Sequence, residues 1–358
     1  MNRKAKFIVL LFTILALALV LTACGTTQTA KQPEPPKEPA KEQPKVEQAS
    51  YVGSQACKTC HAEKYNDVQG TLHVKKVQDP KTPNAIIADF NKEGNPLALT
   101  GKKKEDIVFI IGAGEWKQRY AVKEGDKTVI LPKQWITKTK VWEDYNPSGW
   151  KDKDYVEKCI GCHAVGYDPA TNKWTESGVS CESCHGPASN HVKSVKKADI
   201  FKPTAQQDVI ETCGYCHSRG FSKDGKKREF GVGWTPGPGK KVSDVYDFVT
   251  LQNSEKDFYP DGTSKSHHQQ YLDFKESKMF KSGKVSCTSC HDPHKQDKTA
   301  GAQLKATIKI ENGNCITCHE QKPMSTKTFM PKLAKSAVAN DITTHTFWDY
   351  TDPKNPKK

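Results

Sequence analysis

The pattern Cys-x-x-Cys-His occurs six times in this 358-residue chain, and it limits the possible folds more than any other feature. The six motifs, numbered here in chain order, are Cys57/Cys60/His61, Cys159/Cys162/His163, Cys181/Cys184/His185, Cys213/Cys216/His217, Cys287/Cys290/His291 and Cys315/Cys318/His319. They use twelve of the thirteen cysteines. A two-residue spacer sets two sulfurs at the separation of the porphyrin vinyl groups, and the adjacent histidine reaches the iron from one side. Zinc ribbons and knuckles also use Cys-x-x-Cys pairs, but nothing in zinc chemistry demands a histidine after every pair. A disulfide framework likewise predicts no fixed histidine. The reading is six covalently bound hemes c. It also explains the composition: with 35% hydrophobic residues and a mean hydropathy of −0.73, the chain is poor in core-forming side chains, and porphyrins would supply the apolar filling.

Six histidines remain outside the motifs: His73, His191, His267, His268, His294 and His345. Each iron has a second axial position, so candidates and vacancies are equal in number. His294 and His191 follow their nearest motif histidines too closely for the chain to wrap the same porphyrin, so each is expected to ligate a neighbouring heme. His267 and His268 complicate the count. Adjacent side chains diverge, so both serve as ligands only if hemes lie on two sides. If one is a bystander, an iron is left with Met279, Met324 or Met330, with a histidine from another subunit, or with an open site.

Residues 1–23 carry Arg3, Lys4 and Lys6, then an apolar run to Leu21 and a small-residue approach to Cys24, the layout of a bacterial secretory signal. Leu21-Thr22-Ala23-Cys24 also resembles a lipobox, which makes Cys24 the expected lipidated first residue of the mature chain. Residues 24–50 are rich in Pro, Lys, Glu and Gln and contain no aromatic residue, so they read as a tether reaching about 80 Å at full extension. Residues 51–348 then form the hexaheme domain and 349–358 a polar tail. The formal charge of +14 does not indicate nucleic acid, because no basic run is interleaved with aromatic residues. The lysines are expected to be solvated or paired with heme propionates.

Short gaps separate motifs 2, 3 and 4, and motifs 5 and 6, which suggests a central cluster of three hemes and a C-terminal pair. Motif histidines are expected on short helices with loops between them, and residues 222–242, dense in Gly and Pro, read as loop. Residues 116–123 and 128–136 flank Glu-Gly-Asp-Lys and predict a β-hairpin, the one strong strand signal. The expected fold class is therefore mainly α with much loop and a small β-hairpin, organised around stacked hemes.

The runs YVGSQACKTCHAEKYNDVQGTLH, CESCHGPASNH, CTSCHDPH and THTFW are similar to the multiheme superfamily that contains the nitrifier tetraheme cytochromes, hydroxylamine oxidoreductase and related extracellular cytochromes. The similarity spans nearly all of residues 51–348. It implies a mostly helical body with hemes stacked alternately near-parallel and near-perpendicular. It also implies distal-ligand roles for His73, His191, His294 and His345, with His267 or His268 in the segment before motif 5. On the same grounds motif 4, with His217, is the one least expected to be six-coordinate. The superfamily includes enzymes acting on nitrogen and sulfur compounds. Here, however, there is no lysine-ligated motif and no tyrosine matched to the cross-link of the hydroxylamine-oxidising enzymes.

The expected function is extracytoplasmic electron transfer: electrons pass from a quinol-linked membrane donor or another cytochrome to an external acceptor such as ferric iron. The chain would be held to the outer face of a membrane through Cys24, and its oligomeric state is left open. No catalytic residue is assigned. The alternative is a reductase or oxidoreductase for a small nitrogen or sulfur oxyanion at one iron with an open axial position.

Overall fold

The computed structural model describes residues 48–354 apart from 227, 296–302, 306, 309, 312–313 and 320–323. The signal segment, Cys24, most of the tether and the last four residues of the tail lie outside the described residues. Among the described residues no helix is long and apolar enough to cross a membrane.

The long stretch between motifs 1 and 2 builds a six-stranded antiparallel sheet. Its strands are β1 (Val77–Gln78), β2 (Ile107–Ile111), β3 (Lys117–Glu124), β4 (Lys127–Ile130), β5 (Lys133–Ile136) and β6 (Val141–Asp144). The spatial order is β1-β2-β3-β5-β6, with β4 pairing β3. The β3–β4 pair is the hairpin expected from sequence, with Glu124 opposite Lys127 and Ala121 opposite Ile130. The sheet extends well beyond it. Strand β2, IVFII, is a run of β-branched and aromatic residues whose two faces are both covered, so it lacks the apolar–polar alternation that marks a half-buried strand.

The expectation of a mainly α fold is therefore wrong. Helix accounts for 28% and strand for 19%, and several smaller antiparallel ladders accompany the main sheet. The helices are short because each motif needs only about one turn to present two sulfurs and an imidazole. The sheet, by contrast, is built by a segment without any motif.

Side chains alternate across β3, as a strand requires. Tyr120 and Val122 face one core with Ile110, Leu131, Trp135 and Trp142, whereas Ala121 faces a second core. That second core contains Ile111, Ile130, Tyr155 and Ile160, and Cys159 and Cys162 of motif 2 pack against it. The sheet is thus the wall on which motif 2 is mounted. A third cluster joins Ile210, next to motif 4, with Tyr271 and Phe274 of the helix Gln270–Glu276, and Cys287 of motif 5 packs on it.

Candidate heme-binding sites

Two motifs cap their own helices. The helix Cys181–His185 begins after Ser180, whose N–H donates to the Ser183 hydroxyl at 3.1 Å, and in motif 5 the Ser286 N–H donates to the Ser289 hydroxyl at 3.0 Å. The serine in each spacer therefore fixes the start of the turn that carries the thiols. Motifs 2 and 4 place a glycine in the spacer. A Cβ on Gly161 would run into the Phe230 ring and lie 2.7 Å from the Tyr215 hydroxyl, and one on Gly214 would run into the Tyr271 ring. Motif 6 departs from the helical expectation, since Asn314–Cys315 is a strand.

The histidines meet across long sequence distances. His61 and His191 have ring centres 6.3 Å apart with planes 18° from parallel, and His185 and His294 lie 6.1 Å apart at 23°. His291 and His345 lie 6.3 Å apart at 31°. His217 has two such neighbours at 6.3 Å, His73 and His268, both steeply inclined. Two imidazoles bound trans to one metal at roughly 2.0–2.1 Å have ring centres about 6.3 Å apart, because each centre lies about 1.1 Å behind its nitrogen. The separations fit a metal between the rings and are too wide for a direct stack.

The ring nitrogens point the same way. His191 Nδ1 lies 2.9 Å from the Lys196 carbonyl, His185 Nδ1 2.9 Å from the Phe201 carbonyl, and His345 Nδ1 3.1 Å from the Thr343 carbonyl. A carbonyl only accepts, so in each case Nδ1 carries the proton and Nε2 keeps its lone pair for a metal. Burial, helped by neighbouring cations and histidines, pushes the His73 pKa down to about 3 and those of His163, His217 and His345 to about 4. These imidazoles are neutral at pH 7, as ligation requires.

Among the described residues neither His163 nor His319 stands in such a pair. His163 instead lines a cavity of about 100 Å³ together with Cys159, His267 and His268. Its Nδ1 and that of His267 are buried without a hydrogen-bond partner. His267 and His268 touch edge-to-face at 4.3 Å, and His268 sits in the left-handed region at φ 62°. Both rings line the cavity, and that of His268 also lies 6.3 Å from His217, between the cavity and motif 4.

Three cations, Lys76, Lys117 and Arg119, also line the cavity, a feature that sequence reasoning missed. The Arg119 guanidinium lies 3.7 Å from the Tyr145 ring centre, and its Nε donates to Gln134 at 2.9 Å. Lys117 donates to the Ser336 carbonyl, and burial pushes its pKa down to about 6. Buried cations of this kind call for an anionic counterpart.

Contacts between motifs do not follow chain order. The Cys57 thiol meets Cys181, Cys162 meets Cys216, and Cys213 meets Cys287. Cys184 is close to Cys213 and Cys216, and Cys290 is close to Cys315 and Cys318. The contacts therefore run 1–3–4–5–6, with motif 2 joined at motif 4. The grouping suggested by the sequence gaps kept the C-terminal pair but missed that motif 1 belongs with motif 3.

Two carboxylates clamp that first pair, and both were missed from sequence. Glu182, in the spacer of motif 3, is 1% exposed. It accepts from the N–H groups of Val52 at 3.1 Å, Gly53 at 2.8 Å and Ala188 at 2.9 Å. Glu176 accepts from the Ser54 N–H at 2.9 Å and its hydroxyl at 2.5 Å, and from the Ser180 hydroxyl at 2.6 Å. The strap leading into motif 1 is thus fastened to motif 3.

The arrangement does not suit zinc, for among the described residues no three His, Cys, Asp or Glu side chains converge as a metal cluster. Among the described residues the twelve motif cysteines form no disulfides, which suits them to thioether bonds. The fold can be compared with known proteins. The chain superimposes on the outer cell wall cytochrome OcwA with a TM-score of 0.66 at 22% identity, covering 83% of this chain and 79% of that one. The chain has the fold of a multiheme c-type cytochrome. Residues 117–186 of this chain match the family model for cytochrome c554 and c-prime. Cytochrome c-554 of Nitrosomonas europaea is 33% identical over an 87-position alignment that covers 18% of this chain. The chain spans only 37% of that relative's length. An undecaheme cytochrome from the S-layer of Carboxydothermus ferrireducens aligns over 78% of this chain and 44% of its own, with a TM-score of 0.42 at 19% identity.

Proposed function

We propose that this cytochrome is an extracytoplasmic electron carrier with six hemes c, relaying electrons between a membrane-side donor and an external acceptor such as ferric iron or another cytochrome. A heme c supplies reversible one-electron chemistry at its iron. The chain's own residues attach, cap and space the groups. The twelve motif cysteines would form the thioethers, and His61, His163, His185, His217, His291 and His319 would be the proximal ligands. His191, His294 and His345 would be the distal ligands for motifs 1, 3 and 5, and His73 or His268 the distal ligand for motif 4.

The observation that carries this reading is the recurring 6.1–6.3 Å separation between a motif histidine and a spare one. Irons capped on both faces, as proposed for motifs 1, 3, 4 and 5, suit transfer of electrons and leave no room for a substrate there. The cell-wall and S-layer settings named for the two structural neighbours agree with an extracytoplasmic place. Anchoring through a lipidated Cys24 remains part of the proposal and rests on the sequence alone.

One observation favours a second activity at motif 2. Among the described residues His163 stands in no histidine pair, and the cavity that a motif 2 heme would enter between Cys159 and His163 also carries Lys76, Lys117 and Arg119, cations fitted to a small nitrogen or sulfur oxyanion at an open iron face. Electron paramagnetic resonance of the oxidised holoprotein, with and without nitrite, tests both readings. Low-spin ferric signals unmoved by nitrite leave only the carrier. A high-spin component that moves with nitrite, and is lost from a His163 variant, adds the oxyanion activity. A spectrum that is mostly high-spin refutes the ligation on which the carrier reading stands.

A further inference from the structure

The segment after His191 has features that heme ligation does not require. The helix Ser189–Ser194 ends at Val195, which adopts φ +60°. A β-branched residue in the left-handed region is strained, and strain of this kind collects at functional surfaces. Val195 is nonetheless 71% exposed, and Val192 is 47% exposed. Around these two valines the chain places exposed Lys193, Lys196, Lys197 and Lys202, with Asp199 among them accepting from the Ser194 hydroxyl.

The backbone beneath is fixed from within. The Val195 N–H donates to the His191 carbonyl at 2.7 Å, and His191 Nδ1 donates to the Lys196 carbonyl at 2.9 Å. The same loop therefore aims an imidazole inward at His61 and turns valines and lysines outward. His61, 6.3 Å from His191, is the one motif histidine that is itself exposed. The helix is also tied to Ser50, whose N–H donates to the Ser189 hydroxyl at 2.9 Å, and Ser50 is where the tether read from sequence ends.

We propose that residues 192–197, with Lys202, form the docking face for an acidic redox protein that exchanges electrons at motif 1. An apolar centre within a charged rim is the anatomy of small, transient interfaces. A rim rich in exposed lysines selects a partner that rings its own cofactor edge with acidic side chains. The proposal rests on the reading that His61 and His191 ligate one heme.

The test uses the holoprotein and an acidic plant-type [2Fe–2S] ferredoxin as probe. With both proteins oxidised no electron moves, and binding is read by calorimetry at low ionic strength. K193E/K196E/K197E is expected to weaken binding about tenfold or more, and to slow reduction by reduced ferredoxin to a similar degree. Both losses should shrink to within about threefold near 0.5 M salt. Reduction by the small cation methyl viologen radical, and the low-spin spectrum, should stay unchanged, because the Lys196 carbonyl that holds His191 is backbone. The same charge reversal on the sheet, K103E/K104E/K138E, should have a clearly smaller effect.

Equal losses from both triple variants, or wild-type binding by K193E/K196E/K197E, would overturn the proposal. So would a triple variant that binds ferredoxin normally but loses binding to phosphatidylglycerol vesicles, since the face would then serve a membrane. H191A separates the two layers of the argument. If it leaves the low-spin signals intact, the ligation reading has failed. If it removes one while K193E/K196E/K197E binds normally, only the docking proposal has failed.

Discussion

Removal of the Glu182 carboxylate should release the strap that leads into motif 1. Its two oxygens are the acceptors for three backbone donors, Val52, Gly53 and Ala188, in a site almost closed to water. A hydrogen bond to a charged group contributes about 1.5–3 kcal/mol, and a buried donor left alone costs about 1–3 kcal/mol. Against this stands the cost of burying the carboxylate, since burial pushes the Glu182 pKa up while the three N–H groups pull it down. The balance for Glu182→Ala is a local destabilisation of about 3–6 kcal/mol, the lower half of the sum for three donors left alone at about 1–3 kcal/mol each. At 1.4 kcal/mol per tenfold, amide exchange in residues 50–54 should accelerate about 100-fold or more. Glu182→Gln keeps one acceptor oxygen but turns an NH2 group toward an N–H. It should lie between, near tenfold. Hydrogen exchange followed by mass spectrometry reads this peptide directly, and exchange around Tyr120 and Trp135 in the sheet serves as the internal control. Unchanged exchange of the strap in Glu182→Ala would refute the clamp. Equal acceleration everywhere would mean that Glu182 supports global stability and has no special hold on the strap.

Three further outcomes are expected. His191→Ala, His294→Ala and His345→Ala should each convert one low-spin ferric signal to high-spin, and unchanged spectra in all three would overturn the pairing. Gly161→Ala in the motif 2 spacer should destabilise the fold by about 1–3 kcal/mol, because the new methyl collides with Phe230. Thermal unfolding by circular dichroism should then fall by several degrees, and an unchanged midpoint would show that the ring gives way freely. The pyridine hemochrome assay on exported holoprotein should return six hemes per chain, and Cys315→Ala/Cys318→Ala should return five. A count of six from that variant would remove motif 6 from the set.

What the sequence could and could not reveal follows from the range of each interaction. The six motifs are local, since two sulfurs and an imidazole within five residues fix their own geometry. The equality between spare histidines and open axial positions was also visible. Which histidine meets which was not, because His61 finds its partner 130 residues later and nothing local encodes that contact. The family resemblance makes motif 4 the one least provided with a sixth ligand, yet two imidazoles lie 6.3 Å from His217, while among the described residues His163 has no such neighbour. Strand β2 escaped because a strand covered on both faces loses its alternation. Glu182 escaped because a spacer glutamate looks like any solvated carboxylate until the strap that covers it is in place. Lys117 and Arg119 come from β3 and Lys76 from the turn before β1, so only the finished sheet brings them together.

The pairing of motif 1 with a histidine 130 residues downstream also bears on how the molecule is made. A chain that emerges N-terminus first presents Cys57, Cys60 and His61 long before residue 191 is available. Under the ligation proposed, the first iron to be attached would wait with one face uncovered while motifs 2 and 3 follow it out. The clamp of Glu176 and Glu182 on residues 52–54 cannot close until motif 3 has arrived either. Completion of motif 1 therefore waits for motif 3 and His191, and a chain halted between residues 163 and 191 would carry reactive, solvent-open iron. Such stalled chains should be the species most prone to oxidative damage and proteolysis during maturation.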